Sequence, residues 1–221
     1  MLVIKMSELT DDELVEHCIK GSNKAYERLV ERHKRMAFNF AYRVLGNPED
    51  AEDALQEAFL RAYIALPRFR RKSKFSTWLY SIVSNVCITH KTRRDKNAQR
   101  LETQNLNTGE TSDFENTRAI DSPERTILEQ ELSERLQKII ARLPARYSAI
   151  ITLRYFNDFT YEEIAEALDL TLANVKTRLF RAKEMLKDLA IRDGIPLESI
   201  QSAGNRKTPR SVCAFEEQRK G

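Results

Sequence analysis

Between Arg68 and Tyr80 the chain reads RFRRKSKFSTWLY, five cationic side chains set among four aromatic rings. Arg68, Arg70, Arg71, Lys72 and Lys74 alternate with Phe69, Phe75, Trp78 and Tyr80. Soluble proteins keep rings in the core and lysines in water, so the mixture points beyond ordinary packing. An unpaired nucleic-acid strand needs both: charge for its backbone, and flat faces for bases that have left the stack. Part of the aromatic content is structural. A helix beginning near Ser76 or Thr77 draws core residues from Trp78, Ile82 and Val83.

A second group is acidic. In NPEDAEDALQEAFLRAYIAL, Glu49, Asp50, Glu52, Asp53, Gln56 and Glu57 surround a stripe of Ala51, Ala54, Leu55, Ala58, Phe59 and Ala62. Carboxylates at this density can ligate metals or act as general acids and bases, but both roles need convergence in a dry pocket. Spread around a helix start, they form either a solvated, dipole-favoured face or an acidic docking surface for a basic helix. The docking surface is the preferred reading.

A third group lies in TYEEIAEALDLTLANVKTRLFRAKEML. A first helix carries Ile164, Ala165 and Leu168 on one face, and a turn at Asp169-Leu170 leads to a second helix capped by Thr171. That helix turns Leu172, Val175, Leu179, Ala182 and Leu186 inward and leaves Lys176, Thr177, Phe180, Arg181 and Lys183 outside. Short helix, tight turn and longer basic helix is the helix-turn-helix pattern, whose second helix enters the major groove. Lys and Arg reach base edges and phosphates there, and Phe180 suits a thymine methyl.

These groups need elements to hold them. Thr10-Asp-Asp-Glu13 and Thr160-Tyr-Glu-Glu163 are capping boxes, and Asn47-Pro48-Glu49-Asp50 and Ser122-Pro123-Glu124 pair a cap with proline at the first helical position. No strand alternation is present, so the fold is all-α: two small helical domains, a bundle and a helix-turn-helix unit, joined by a flexible linker. The domains are placed at 10–96 and 125–191. Between them, residues 97–124 are polar and acidic, and a tail of unassigned role follows at 192–221.

Charge sharpens this division. Residues 67–100 carry ten Lys and Arg against one Asp, whereas residues 101–134 carry nine acids against two bases. Residues 135–221 are basic again, by 16 to 11. Two contacts with a polyanion, separated by a segment that avoids it, fit that order. Cys18, Cys87 and Cys213 form no CxxC pair; Cys18 and Cys87 read as buried thiols, and His17, His33 and His90 as ordinary helix residues. No run approaches the length of a membrane span, and MLVIKM is too short for a secretory leader; Met6 offers a second start. A cytoplasmic protein without a cofactor or metal is expected.

Together the three groups resemble the bacterial RNA polymerase sigma factors of the extracytoplasmic-function group, in the sigma-70 superfamily. DAEDALQEAFLRAY is similar to the family's polymerase-binding helix, FRRKSKFSTWLYSIVSN to its promoter-melting segment, and LPARYSAIITLRYFNDFTYEEIAEALDLTLANVKTRLFRAKEML to the domain that reads the upstream element. The resemblance implies a promoter-specificity subunit with no catalytic residues. Asp50, Asp53, Gln56 and Glu57 would dock on the clamp coiled coil of the largest polymerase subunit. Arg70, Lys72, Ser73, Lys74, Phe75, Trp78, Tyr80 and Asn85 would meet the melted −10 element, and residues 69–76 would capture a flipped base. Lys176, Thr177, Phe180 and Arg181 would meet the −35 element. The acidic linker would run through the RNA exit path, and an anti-sigma factor is an implied partner.

Two features depart from the pattern. Ala173-Asn174 stands where many relatives have Gly-Thr before the valine, which bears on promoter choice, and the tail has no counterpart in the two-domain plan. Rival readings are a dimeric helix-turn-helix regulator that binds duplex DNA alone, and a metal-dependent nucleic-acid enzyme using Asp50, Asp53 and Glu57. The first leaves the acidic helix and the basic-aromatic segment unexplained. The second needs further ligands converging on those acids.

Overall fold

The computed structural model describes residues 9–104 and 127–195, all of whose regular structure is helical. The cap at Ser122, most of the linker, the tail from 196 and Cys213 lie outside the described residues. Four helices form the N-terminal half: α1 (Asp11–Ile19), α2 (Asn23–Leu45), α3 (Pro48–Ala65) and α4 (Phe75–Gln104), with a 3-10 turn at Leu66–Arg68. Four more form the C-terminal half: α5 (Ile127–Arg142), α6 (Ala145–Tyr155), α7 (Tyr161–Ala167) and α8 (Leu172–Arg192).

The helix starts follow local chemistry. Thr10 and Glu13 close a reciprocal capping box on α1, and Thr160 and Glu163 close another on α7. Asn47 accepts from the backbone of Glu49 and Asp50 with Pro48 in the first turn, and Thr171 caps α8 through Asn174. Each cap satisfies donors that the helix cannot, worth about 1 kcal/mol apiece.

The alanine stripe of α3 is wholly buried at Ala51, Ala54, Ala58 and Ala62, which brings the helix backbone close to its neighbours α2 and α4. From α2, Ala37, Phe40, Ala41 and Val44 fill the same core, and α4 adds Leu79, Val83 and Val86. In the C-terminal half, α8 seats Val175, Leu179, Ala182 and Leu186 against α5, α6 and α7.

Three boundaries and one orientation differ from expectation. Helix α4 starts at Phe75 and continues to Gln104, because NAQRLETQ is polar yet made of good helix formers. Polarity alone therefore placed the linker too early. Beyond α8, Ile195 returns to the core and Asp193 pairs with Arg142 at 2.6 Å, so the C-terminal unit outlasts residue 191. Leu172, expected inside, is 45% exposed: as the first residue of α8 it sits at the edge of the stripe.

The two halves are packed together. Helix α2 lies against α5 and α6, and α4 lies against α6 and α7, so that one apolar core runs from Leu9 to Ile195. Helix α6 is buried without a break from Ser148 to Leu153, covered by α2 and α4 on one side and by α7 and α8 on the other. Gly46 ends α2 at φ 78°, and a Cβ there would stand 2.6 Å from the Ala141 Cβ. Only glycine permits both the left-handed turn and this approach.

Candidate nucleic-acid interface

The recognition-type helix presents its outer face as expected. Lys176, Thr177, Phe180 and Arg181 are all exposed, at the one- and three-residue steps that put them on a single side of α8. Phe180 is 65% exposed, an apolar ring among cations. Thr177 Oγ1 donates to the Ala173 carbonyl at 3.0 Å.

Among the described residues, the cations of the basic loop between the 3-10 turn and α4 divide into unpaired and engaged ones. Arg70 and Lys72 are exposed, and Ser73 is half-buried. Arg71, at φ 53°, reaches back to Glu16 at 2.7 Å, and this hydrogen bond holds the Glu16 carboxyl below its ordinary range. Lys74 Nζ donates to Glu163 Oε1 at 2.8 Å, crossing from the loop to α7. Its ammonium is pushed up by that hydrogen bond and by the charge of Glu163. Burial acts to raise Glu163, but the hydrogen bonds from Lys74 and from the Thr160 backbone outweigh it.

The rings of this segment are mostly core. Phe69, Phe75 and Trp78 form a cluster with centroids 4.9–6.2 Å apart, and His33 adds to it at 5.3 Å from Phe75. Phe69 and Phe75 are buried, and Trp78 is half-buried, packed against the core. Tyr80 is 2% exposed, edge-on to Phe40 at 5.5 Å and to Phe159 at 5.1 Å. Its hydroxyl accepts from Asn157 Nδ2 at 2.8 Å, and burial pushes its pKa up. The reading that offered Phe75 and Tyr80 as flat faces for bases therefore does not hold in this arrangement: one fills the N-terminal core, the other the seam between the halves. Asn85 is exposed on the same side of α4 as Trp78.

On α3, Asp53 and Gln56 are exposed and, among the described residues, free of the ion pairs that hold their neighbours, whereas Asp50 and Glu57 are half-buried and tied to α4. Asp50 pairs with Arg94 at 2.7 Å; Glu57 accepts from His90 at 2.6 Å and also from Arg61. The His90 hydrogen bond holds the Glu57 carboxyl below its ordinary range. Below Gln56 the same face continues into exposed Leu60, Tyr63 and Ile64. Among the described residues, no three of His, Cys, Asp and Glu gather as metal ligands, and Asp50 and Glu57 are spent on cations rather than converging.

Lys91, Arg94 and Asn157 carry no mark in the sequence, where His90 reads as an ordinary helix residue and Glu163 as part of a cap. A histidine at one helix position and an arginine four later give no sign that two acids seven apart on another helix will face them.

The family description Sigma-70 region 2 matches residues 29–97, and Sigma-70 region 4 matches residues 133–186. The chain is 36% identical over 169 residues to the ECF RNA polymerase sigma factor SigW of Bacillus subtilis, covering 76% of this chain and 90% of that one. The chain belongs to the extracytoplasmic-function sigma-factor family. It is also 37% identical over 185 residues to the sigma-E factor of Escherichia coli, covering 82% of this chain and 95% of the relative. Among solved structures, CnrH in complex with the cytosolic domain of CnrY superposes with a TM-score of 0.57 at 25% identity, over 83% of this sigma factor and 98% of that chain. The sigma factor RpoE of Bartonella quintana, solved with the anti-sigma factor NepR, shares the fold with a TM-score of 0.55 at 19% identity, over 77% and 99%. Region 2 takes in most of α2, α3 and the basic loop with α4, and region 4 takes in the helix-turn-helix pair α7–α8.

Proposed function

We propose that this sigma factor docks on core RNA polymerase through the free end of the α3 face, reads an upstream promoter element with α8, and opens DNA at the basic loop before α4. The observation that carries the reading is the exposed face of α8. Four side chains able to contact phosphates, base edges and a thymine methyl lie on one side of a helix whose other side is core. A dimeric regulator would use that face too, but it would leave the α3 face and the cations Arg70 and Lys72 without a task.

In this reading Asp53 and Gln56 meet the basic clamp helices directly, and Asp50 and Glu57 act from positions braced by Arg94 and His90. Arg70 and Lys72 neutralise the phosphates of the opened strand, with Trp78 and Asn85 on the adjoining side of α4. The protein performs no bond chemistry; polymerase supplies that. An anti-sigma protein is the expected regulator, as the two solved relatives were each found with a partner.

Transcription in vitro tests the proposal. Purified protein is added to sigma-free core polymerase on a library of promoter fragments, with permanganate marking unpaired thymines. Specific transcripts with melting about two helical turns downstream of a protected box are the expected result. Binding to duplex DNA alone, with no effect on core polymerase, would return the chain to the regulator reading.

A further inference from the structure

The basic loop before α4 is fixed at its ends by rings and in its middle by an acid. Phe69 opens it and Phe75 closes it, both buried. Among the described residues, Arg70, Arg71, Lys72 and Ser73 make no backbone hydrogen bond, so side chains decide the shape of the loop. Arg71 stands at φ 53°, where a residue with a Cβ is strained. The other non-glycine residues at positive φ in the described chain are Asp158 and Asp169, whose short polar side chains suit this region better than arginine does. Arg71 Nη1 donates to Glu16 Oε1 at 2.7 Å, crossing from the loop to α1.

Helix α1 is a firm post for that acid. Leu14 and Val15, beside Glu16, are fully buried. Asp11 pairs on α2 with Arg32 at 2.5 Å and with His33 at 2.7 Å, and Arg32 also donates to the Leu9 carbonyl at 2.7 Å. His33 in turn packs on Phe75, with 5.3 Å between centroids, so α1 supports both the middle of the loop and its far end. The other engaged cation, Lys74, bonds to Glu163 of the C-terminal half, whereas Arg71 bonds within the half that carries the loop.

We propose that Glu16 is a positioning residue for promoter opening: by pairing with Arg71 it keeps the loop in the left-handed turn that leaves Arg70 and Lys72 exposed to the opened strand. This role rests on the sigma-factor reading of the loop and deepens it, because the loop's shape then depends on an acid from a helix outside the melting segment.

Magnitudes separate this role from that of a bystander ion pair. A left-handed arginine is disfavoured about five- to thirty-fold against ordinary backbone. An exposed ion pair returns up to about five-fold. That offsets the lower end of the bias, and the buried rings at either end supply the rest. Losing the pair therefore changes how much of the loop is in the competent shape, and apparent affinity for the opened strand falls with that fraction.

A double-mutant cycle read on promoter opening tests the proposal. Holoenzyme is assembled from core polymerase with wild type, Glu16→Ala, Arg71→Gly and the double variant, on a promoter fragment that wild type transcribes. Permanganate reactivity of the opened thymines gives the fraction of open complex, and fluorescence anisotropy with labelled core polymerase gives assembly. Glu16→Ala should lower the open-complex equilibrium about three- to five-fold and leave affinity for core polymerase within about two-fold. In the Arg71→Gly background, where glycine takes the left-handed turn without strain, the Glu16→Ala step should have no further effect. A general effect on the fold would persist in that background. Should Glu16→Ala not fold, Glu16→Gln takes its place under the same criteria. Fuller opening by Glu16→Ala would mean that Glu16 withholds Arg71 from the strand, and overturns the proposal. Unchanged opening, or an equal loss in both backgrounds, overturns it as well. A wild-type holoenzyme that opens no promoter refutes the sigma reading itself, and this role with it.

Discussion

The amine of Lys91, on α4, lies 2.6 Å from the carbonyl of Ala141, the next-to-last residue of α5, and this hydrogen bond ties a buried Lys91 to the half-buried end of α5. Val44 and Ser148 complete its acceptors, from α2 and α6. Four helices therefore meet at one ammonium. Charged neighbours Asp95 and Arg94 stand one turn or less away along α4 and act on it in opposite directions.

Lys91→Met keeps the aliphatic stem and removes the donors, leaving the buried Val44 carbonyl and the half-buried Ala141 carbonyl short of a partner. A loss of about 1–3 kcal/mol is expected in urea denaturation. The pH dependence is specific. Burial lowers Lys91 from 10.5 to about 8 in the folded chain, so between those values the unfolded chain holds more protons and stability rises with pH. Below pH 8 the cost of the buried charge is present in full. Burial pushes the Cys18 thiol up to about 11 and that of Cys87 up to about 12, which opposes the rise above pH 9. Comparing wild type with Lys91→Met cancels the thiols: the difference in urea midpoint should move in favour of wild type from pH 7.5 to 9.5. A flat difference would mean that Lys91 keeps its ordinary proton affinity.

Gly46 and Gly21 form a matched pair of left-handed residues, at φ 78° and 92°. Gly21→Ala meets no atom within 4 Å and carries backbone strain alone, about 1–2 kcal/mol. Gly46→Ala carries the same strain and also drives its Cβ against Ala141. The Gly46 variant should therefore lose more stability than the Gly21 variant in thermal unfolding. Equal losses would show that the halves do not approach at Gly46 in solution.

On α3, Asp53→Ala and Gln56→Ala should weaken binding to core polymerase while changing stability by no more than about 0.5 kcal/mol. Asp50→Ala and Glu57→Ala should lower both, because each also removes a brace to α4 at Arg94 or His90. Fluorescence anisotropy with labelled core polymerase, read beside thermal melts, separates the two classes. The result that would count against this surface is full polymerase affinity in Asp53→Ala.

For α8, charge and shape predict different signatures on promoter DNA. Lys176→Ala and Arg181→Ala should each reduce the slope of log affinity against log salt by about one. Phe180→Ala should leave that slope alone and cost selectivity between promoters. Both are measured on the assembled holoenzyme by titration at several salt concentrations. A change of slope in Phe180→Ala would argue against an apolar base contact.

The caps at Thr10, Asn47, Thr160 and Thr171, the alanine stripe of α3 and the exposed basic face of α8 were all legible in the sequence. Each is written within a few residues, by a side chain that bonds its own helix start or by a period of 3.6. Family membership was legible for the same reason, since its motifs are short and contiguous. The tertiary structure alone decided that Tyr80 faces Phe159 and Asn157, that Asp50 and Glu57 lean on Arg94 and His90, and that Lys91 lies buried. A lysine in a helix has the same local signature whether water or another helix lies over it. What covers Lys91 is α5 and α6, elements far along the chain, so its burial is a property of how the halves pack and of no segment by itself.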